Sequence, residues 1–259
     1  MSNYTEIKYL HNNNDDNKYF IKHLKYETLP YPSPNEMEYN EPLESYIKSG
    51  KRDYNSLITL LKKNNFNFAN SNILEFGCSN SRVLRHFEPY AKENNVWGCD
   101  INSKIIAWCI EHLSPPFNYF VNTTQPHLPF KDGHFDLIYA YSIFTHIDDL
   151  FFTWILELKR NIKRGGHLYL TIHDENSVRF GFDNPKRIIG KYIKSNADKF
   201  KGLLNSDYNI IAIDRSYRSQ VFIRREYFIS KMKALGFSVL DIMPNTMGGH
   251  QTAFILKSE

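Results

Sequence analysis

The sequence is poor in the features that mark secreted proteins and membrane proteins. Its 259 residues include only three cysteines, Cys78, Cys99 and Cys109, which form neither a disulfide framework nor a zinc-ligand pattern. We therefore expect a reducing compartment. The N-terminus lacks the apolar core of a signal peptide, and no apolar run is long enough to cross a bilayer. A cytoplasmic location without a membrane partner is the prediction.

The sequence also lacks a strong excess of positive or negative charge. The 32 Lys and Arg residues are nearly balanced by 28 Asp and Glu residues, which leaves a formal charge of +4. Such a balance tolerates an anionic ligand but does not favour nucleic acid as a partner. The hydrophobic fraction of 42% is ordinary for a globular domain, whereas aromatic residues are frequent at 15%. Length and composition suit one α/β domain with some additions.

The first 50 residues differ in texture from the rest of the chain. They contain the polar patch HNNNDDN and several prolines that interrupt regular elements. We expect an N-terminal arm over residues 1–50, ordered where YETLPYPSP lies against the domain, followed by the main domain over residues 51–259. A first helix is predicted from Tyr54 to Lys63 because its leucines share one face.

From residue 72 onward, short apolar segments alternate with segments of helical spacing. Strands are predicted at 73–76, 96–99, 118–121, 135–141 and 167–173. Helices are predicted at 82–92, after the N-cap Asn102, from Asp148 or Asp149, and at 224–235. The alternation predicts a parallel sheet with helices on both faces. The closing strands, 238–243 and 251–256, are joined by so short a turn that they must be antiparallel.

The segment ILEFGCSNSRVLRHF, residues 73–87, is the most specific of the sequence. Glu75 precedes Gly77 at the end of a buried strand, and small residues then lead into a helix. Small residues let a backbone approach a ligand closely. Asp100 ends the next strand, where a carboxylate can accept both hydroxyl groups of a ribose.

Several of these motifs together resemble the class I S-adenosylmethionine-dependent methyltransferases. EFGCSNSR followed by GCDIN is similar to their first motif and its successor. FKDGHFDLIYAYSIFTHI and LKRNIKRGGHLYLTIHD are similar to their fourth-strand and fifth-strand motifs. The resemblance covers about residues 50–259, and the flanks resemble a bacterial branch whose substrates are largely unassigned. It implies a Rossmann-like, doubly wound, seven-stranded sheet with a terminal antiparallel hairpin.

The resemblance also implies a role for each matching residue, with S-adenosylmethionine as the cofactor. The residues implied to line the methionine part of the cofactor are Glu75, Gly77, Cys78 and Ser79. Those implied for the nucleoside are Asp100 on the ribose, Ile101 against the adenine, and Asn122 and Thr123 near the adenine edge. Tyr141 and Ser142 are implied beneath the sulfonium. Ser79 and Ser81 stand where the family has glycines, which restricts the backbone.

Two alternatives concern the cofactor site. A nicotinamide-binding fold could also place Asp100 on a ribose, but residues 77–81 lack the G-x-G-x-x-G spacing that seats a pyrophosphate. Lys51 and Arg52 could clamp the cofactor carboxylate, or they could be surface charges at the start of a helix.

His146 and His173 are the candidate general bases for a hydroxyl acceptor. Each follows or ends a predicted strand at the carboxyl edge of the sheet, and imidazole titrates near neutrality. Either could instead serve as a structural hydrogen-bonding group. His250 and Gln251 face the same edge, where they could touch the acceptor or complete the turn.

The insert, residues 175–219, is predicted to cover the acceptor, because it combines aromatic rings with lysine and arginine residues. Those cations could equally form a solvated helix face.

No Asn/Asp-Pro-Pro-Tyr/Phe motif follows the fourth strand, which argues against amino methylation of bases or glutamine. The fourth strand also lacks a terminal Asp, so we expect no metal. Asp148 and Asp149 are interpreted as residues of a helix N-terminus.

Methyl transfer to a small molecule, at a hydroxyl group of a saccharide or secondary metabolite, is the predicted function. Three alternatives stay open: N-methylation of a small amine, methylation of RNA or protein, and a non-catalytic S-adenosylmethionine-binding subunit.

Overall fold

The computed structural model describes residues 29–37, 42–213 and 219–259. Most of the predicted arm, residues 1–28 and 38–41, and residues 214–218 of the insert lie outside the described residues. The described residues form two compact units. The first contains those up to residue 62 together with 66–127, and the second contains 63–65 and 128–259.

The first unit begins with helix α1, Leu43–Lys63, which starts eleven residues before the predicted Tyr54. Tyr46 and Gly50 lie on its buried face together with Tyr54 and Leu57. A Cβ atom at Gly50 would lie 2.2 Å from the carbonyl oxygen of Arg82, so only glycine allows this close approach. The predicted boundary at residue 50 therefore falls inside a helix.

The first unit also contains three parallel strands. They are β1, Asn72–Phe76; β2, Asn95–Asp100; and β3, Asn118–Val121. Strand β2 pairs with both β1 and β3. Helix α3, Ser103–Leu113, begins after Asn102, whose side-chain oxygen accepts from the backbone of Lys104 and Ile105 as predicted for an N-cap.

The single helix predicted over residues 82–92 is wrong. A 3₁₀ turn, Leu84–Phe87, is followed by the short helix α2, Glu88–Ala91. Pro89 stands in the first turn of α2 and has no N–H to continue the preceding turn.

Residues 29–37 of the predicted arm pack within the same unit. The guanidinium carbon of Arg85 lies 3.9 Å from the centre of the Tyr31 ring, and Nη2 donates to the carbonyl oxygen of Leu29 at 3.0 Å. The side-chain amide of Asn80 donates to the carbonyl oxygen of Glu36 at 3.1 Å. This segment is thereby tied to the loop after β1.

The second unit contains the strands β4, Phe135–Ala140; β5, Ile162–Ile172; β8, Phe237–Met243; and β9, Thr252–Ser258. Strands β4 and β5 are parallel, whereas β9 is antiparallel to both β5 and β8. The predicted terminal hairpin is confirmed. Helix α4, Phe151–Asn161, begins two or three residues after the predicted start, because residues 148–151 form a turn closed by the Phe151 N–H and the Asp148 carbonyl.

The insert forms a helical cluster with its own apolar core. Its helices are α5, Glu175–Asp183; α6, Ile188–Ser195; and α7, Ala197–Leu204. Strand β6, Ile210–Ile213, pairs antiparallel with β7, Gln220–Ile223, in a small sheet that the sequence pattern did not predict. Val178, Ile193 and Phe200 are among the buried residues of the core.

Helix α8, Arg225–Ala234, follows β7 and is joined to the start of the insert by an ion pair. Asp174, the N-cap of α5, is fully buried, and Arg225 donates to its Oδ2 through Nε at 2.8 Å and Nη2 at 2.6 Å. The pair fixes where the insert leaves strand β5.

Counted along the sheet, the seven strands follow the order β3-β2-β1-β4-β5-β9-β8. Parallel strands connected by helices, with an antiparallel pair at one end, confirm the predicted Rossmann-like, doubly wound fold. None of the helices in the described ranges is long and apolar enough to span a membrane.

Candidate cofactor and acceptor sites

The loop after β1 is held in a left-handed conformation at three positions. Gly77, Ser79 and Ser81 have φ values of 77°, 45° and 61°. The N–H groups of Gly77 and Cys78 both donate to the carbonyl oxygen of Cys99, at 2.9 and 2.8 Å. The two serines thus adopt the conformation in which glycine is usual, and the loop retains its shape at some cost in backbone strain.

Asp100 is buried at the end of β2 and organises this loop. Its Oδ2 accepts from the Ser79 N–H at 3.0 Å, and its Oδ1 accepts from the Asn102 N–H at 2.9 Å. Each carboxylate oxygen can accept a second hydrogen bond. The next residue, Ile101, presents 39% of its apolar surface to solvent. A buried carboxylate and an exposed aliphatic side chain therefore stand side by side at the strand end.

Asn122 follows β3 and carries an acceptor atom without a partner. Its backbone N–H donates to the Asp100 carbonyl at 3.2 Å, and its side-chain Nδ2 donates to the carbonyl of Thr123 at 3.1 Å. Oδ1 is buried and accepts no hydrogen bond from the described residues. An unsatisfied buried acceptor is costly, so such an atom points to a donor supplied by a ligand. The exposed Thr123 uses its hydroxyl to accept from the Gln125 N–H at 3.2 Å.

Glu75 and Cys78 lie beneath the loop rather than on an open surface. Glu75 is buried, and its Oε2 accepts from the Leu84 N–H at 2.9 Å, which orders the turn after the loop. The thiols of Cys78 and Cys109 lie 3.4 and 3.5 Å from the carbonyl oxygen of Ser79. Burial raises the pKa of the Cys78 thiol far above its ordinary value, so the thiol is neutral and packs as an apolar group.

Arg52 is directed toward a neighbouring carboxylate. Its Nε donates to Asp53 Oδ1 at 3.0 Å, and 63% of its side chain is exposed. Arg82 binds the other oxygen of Asp53 at 2.7 Å. The role of Arg52 toward a cofactor carboxylate stays a prediction.

The second unit contains a cavity with a volume of about 470 Å³. It is lined by residues from the ends of β4 and β5, the insert, and the turn before β9. The lining residues are Ser142, His146, His173, Phe180, Lys186, Arg187, Ile188, Ile189, Tyr192, Gln220, Gly248, His250 and Gln251. Both predicted catalytic histidines and the predicted Ser142 are brought together here.

His146 is oriented by the backbone at the end of the insert. Its Nδ1 lies 2.8 Å from the carbonyl oxygen of Ser219, which can only accept a hydrogen bond. Nδ1 therefore carries the proton, and Nε2 of the neutral ring holds a free electron pair. Burial lowers the pKa of His146, although its hydrogen bond to Ser219 acts in the opposite direction. The neutral form is thus favoured at neutral pH.

His173 is buried and packs among other rings. Its ring centre lies 4.8 Å from that of Phe222 and 5.3 Å from that of His250. Burial, together with the neighbouring His250 and His146, holds the pKa of His173 well below its ordinary value. Its Nδ1 has no hydrogen-bond partner among the described residues.

A chain of hydrogen bonds fixes Ser142 and Gln251 at the edge of this cavity. Thr171 Oγ1 accepts from the Ser142 N–H at 2.8 Å and donates to Gln251 Oε1 at 2.7 Å. Gln251 Nε2 donates to Ser142 Oγ at 2.8 Å. Ser142 is thereby held at a φ of 58°. The preceding residue, Tyr141, is buried against the Tyr169 ring at 4.9 Å.

Several residues that line this cavity or hold its lining in place are missing from the sequence prediction. Thr171, Ser219 and Gln220 position its functional groups, yet none was predicted. Thr171 had a signal, since it is the one aliphatic hydroxyl side chain in the buried run LYLTI. Ser219 acts through its backbone carbonyl, for which no side-chain pattern exists.

Across the parts of the chain that the structure describes, no three His, Cys, Asp or Glu side chains are grouped so that they could hold a metal ion.

Comparisons with known proteins support the fold described above. Residues 74–170 match the model of a family described as a methyltransferase domain. The S-adenosylmethionine-dependent methyltransferase from Clostridium acetobutylicum superimposes with a TM-score of 0.56 at 13% identity, covering 80% of this chain and 91% of its own. Magnesium protoporphyrin IX methyltransferase from Synechocystis, solved with S-adenosylhomocysteine, gives 0.53 at 14% identity over 98% and 100% of the two chains.

A third structure is 1,6-didemethyltoxoflavin-N1-methyltransferase from Burkholderia thailandensis, solved with 1,6-didemethyltoxoflavin and S-adenosylhomocysteine. It superimposes with a TM-score of 0.54 at 11% identity, covering 84% of this chain and 85% of its own. At these identities the structural likeness establishes the fold. The family match adds that residues 74–170 are similar to a methyltransferase domain.

Proposed function

We propose that the first unit binds S-adenosylmethionine and that the cavity of the second unit binds a small molecule whose hydroxyl group is methylated. Three features of the first unit carry the cofactor part of this proposal. They are the paired acceptor oxygens of Asp100, the exposed Ile101 beside them, and the unsatisfied Oδ1 of Asn122.

The chemistry of these donors and acceptors fits the nucleoside of the cofactor. Asp100 presents carboxylate oxygens, the acceptors that the ribose hydroxyl groups require. Ile101 offers an apolar surface for the adenine plane, and Asn122 Oδ1 offers an acceptor for the exocyclic amino group. When bound, S-adenosylmethionine supplies a methyl carbon that is already activated by its positive sulfur.

What the chain must add is a site that binds the acceptor and removes its proton. His146 suits the second task because Nδ1 is engaged by the Ser219 carbonyl, which leaves Nε2 to accept a proton from the acceptor hydroxyl. A fixed tautomer and a ring that is neutral at neutral pH are what a general base requires. His173 is more deeply buried and is proposed to bind the acceptor rather than to deprotonate it.

The cavity has the size and composition of a small-molecule site. A volume of about 470 Å³ lies within the usual range for small-molecule pockets. Phe180, Tyr192 and His250 offer ring faces, while Gln220, Gln251 and the histidines offer polar groups. A sugar or a ring-bearing secondary metabolite fits this mixture.

Calorimetry with S-adenosylhomocysteine tests the cofactor part. The matched variants are Asp100→Ala and Asp136→Ala, since Asp136 is also a strand carboxylate but is paired with Lys163 at 2.7 Å. We expect Asp100→Ala to weaken binding at least tenfold, because hydrogen bonds to a charged group contribute about 1.5–3 kcal/mol, and Asp136→Ala to leave affinity unchanged. Circular dichroism should confirm that both variants fold. No heat of binding, with no effect of Asp100→Ala, would overturn the proposal.

Transfer of a labelled methyl group to a panel of sugars, phenols and amines tests the acceptor part. The wild type should methylate hydroxyl acceptors, and His146→Gln should lose this activity. Turnover of amines alone, unaffected by His146→Gln, would identify an N-methyltransferase instead. Cofactor binding without turnover of any panel member contradicts the proposed enzyme activity and favours a cofactor-binding subunit.

A further inference from the structure

We propose that the acceptor carries an anionic group, a carboxylate or a phosphate, which binds to Lys186 and Arg187 at the open side of the cavity in the second unit. This inference rests on the proposed function in that it takes the cavity as the acceptor site, and it narrows the acceptor to a chemical class.

The charges that line the cavity are of one sign. Lys186 and Arg187 both line it, and its described lining contains no aspartate or glutamate. Neither cation is paired with a carboxylate of the described residues. A guanidinium and an ammonium group side by side form an anion site when no carboxylate neutralises them.

The position of the cations relative to the buried groups indicates how the acceptor is oriented in the cavity. Lys186, Arg187 and Ile188 are exposed, whereas His173 and Gln251 are buried. The cations therefore lie on the open side, and the histidine and glutamine lie at the closed side. An acceptor bound by its anionic group at the open side extends its remaining atoms toward the histidines.

The insert holds this open side in a defined place. Arg187 is the residue before helix α6, and its backbone N–H donates to the carbonyl oxygen of Asn184 at 3.0 Å. Gly190 permits that turn to pack closely, because a Cβ atom there would lie 2.1 Å from the same Asn184 oxygen. The next turn of α6 carries Tyr192 into the cavity lining. The two cations are thus placed by local backbone contacts.

Other electrostatic evidence agrees with an anion. Burial lowers the pKa of His250, and the nearby positive charge of Arg187 lowers it further, although the hydrogen bond that Nδ1 donates to the Gly248 carbonyl oxygen at 3.0 Å acts in the opposite direction. A bound anion would counter that repulsion. The ring of His250 stacks on Phe180 with centres 5.3 Å apart, so its signal reports on this part of the cavity.

The test uses three probes with the full chain in the presence of S-adenosylhomocysteine. They are inorganic phosphate, 4-hydroxybenzoate, and the neutral 4-hydroxybenzamide of the same shape. Binding is followed by calorimetry and by the histidine ring signals in nuclear magnetic resonance. The variants are Lys186→Gln and Arg187→Gln, and the control is Lys191→Gln, which removes a charge from helix α6 outside the cavity lining.

At least one anion is expected to bind and to shift the His250 signals, and the benzoate is expected to bind at least tenfold more tightly than the benzamide. A preference for phosphate alone would identify a phosphorylated acceptor, and a preference for the benzoate would identify a carboxylic acid. Arg187→Gln should weaken the anion about tenfold, and Lys191→Gln should change affinity less than twofold.

Two results overturn the inference. One is that neither anion binds at millimolar concentration, and the other is that affinity is the same for the charged and neutral probes and insensitive to Lys186→Gln and Arg187→Gln. The proposed function fails separately, since its cofactor part is judged by S-adenosylhomocysteine binding and Asp100→Ala alone. Intact cofactor binding with no anion preference thus rejects only the anionic acceptor.

Discussion

The Nδ1 atom of His146 lies 2.8 Å from the backbone carbonyl oxygen of Ser219, a residue 73 positions later in the chain. A turn after β4 and the end of the insert thereby meet at one imidazole ring. The contact fixes the tautomer and the orientation of the ring and leaves Nε2 able to accept a proton.

This relationship predicts the pH dependence of methyl transfer. Burial places the pKa of His146 below its ordinary value of about 6.5, so kcat/KM should be constant at pH 7 and above and fall as pH drops through a value lower than 6.5. His146→Gln should reduce kcat/KM by about 10²–10⁴ and abolish this acid limb. The exposed His127→Gln is the control. An unchanged pH profile in His146→Gln would assign the titration to another group.

His173 predicts how stability depends on pH. Its pKa is well below the ordinary value in the folded protein and about 6.5 in the unfolded chain, so its contribution is fully present above pH 6.5 and is lost as pH falls. The free energy of unfolding should then decrease by up to about 1.4 kcal/mol per pH unit from this group. Urea denaturation between pH 7 and 5 should give a smaller slope for His173→Gln, and equal slopes would contradict the prediction.

The buried pair of Asp174 and Arg225 should be sensitive to the loss of one partner. Arg225→Ala leaves a fully buried carboxylate uncompensated, which we expect to destabilise the protein by about 3–5 kcal/mol. The neighbouring Arg224 pairs with Glu226, whose side chain is 86% exposed, so Arg224→Ala should cost about 1 kcal/mol or less. Guanidinium denaturation of the two variants compares these costs. Equal losses would mean that the buried pair contributes no more than the surface pair.

Ser79 tests whether the loop after β1 needs its left-handed conformation. At a φ of 45°, valine should destabilise the protein by about 1–3 kcal/mol and weaken S-adenosylhomocysteine binding, because β-branched residues strongly disfavour that region. Ser79→Gly removes the strain and should retain binding. Thermal unfolding and calorimetry on the two variants measure both effects. Comparable behaviour of the valine and glycine variants would show that the loop does not depend on this φ value.

Arg187 should set the pKa of His250 in the absence of any ligand. Since its positive charge lowers that pKa, Arg187→Gln should raise it toward the ordinary value. Titration of the His250 ring signals by nuclear magnetic resonance measures the shift, with Lys191→Gln as the charge-matched control. An equal shift in both variants would indicate a general effect of net charge rather than proximity.

Much of the fold could be predicted from short-range patterns. The strands β1 to β4 and the hairpin of β8 and β9 follow from apolar runs bounded by glycine and polar residues. The start of helix α1 could not be found so easily, because Gly50 looks like a helix breaker. Glycine is needed at position 50 because a Cβ atom there would lie 2.2 Å from the Arg82 carbonyl oxygen, and this is a tertiary contact.

For the candidate site, too, the sequence predicted the positions of some residues, whereas their atomic contacts required the structure. Asp100 ends one strand and Asn122 follows the next; the strand-edge rule predicted a ligand-binding role for Asp100, and the resemblance to methyltransferases implied one for Asn122. The unsatisfied Oδ1 of Asn122 and the two backbone donors on Asp100 depend on atoms that no pattern specifies. The helical cluster of the insert was predicted only as a cover rich in rings and cations.

The sequence by itself determined the alternation of strands and helices and offered Asp100, His146 and His173 as candidate site residues, because periodicity and residue chemistry are local properties. Tertiary structure decided which of these groups meet and in what state. The Ser219 carbonyl on His146, the Thr171–Gln251 hydrogen bond at 2.7 Å, and the cavity lined by Lys186 and Arg187 join positions far apart in the chain. Burial and hydrogen bonding at such long-range contacts set protonation and ligand preference, and they exist only once the chain has folded.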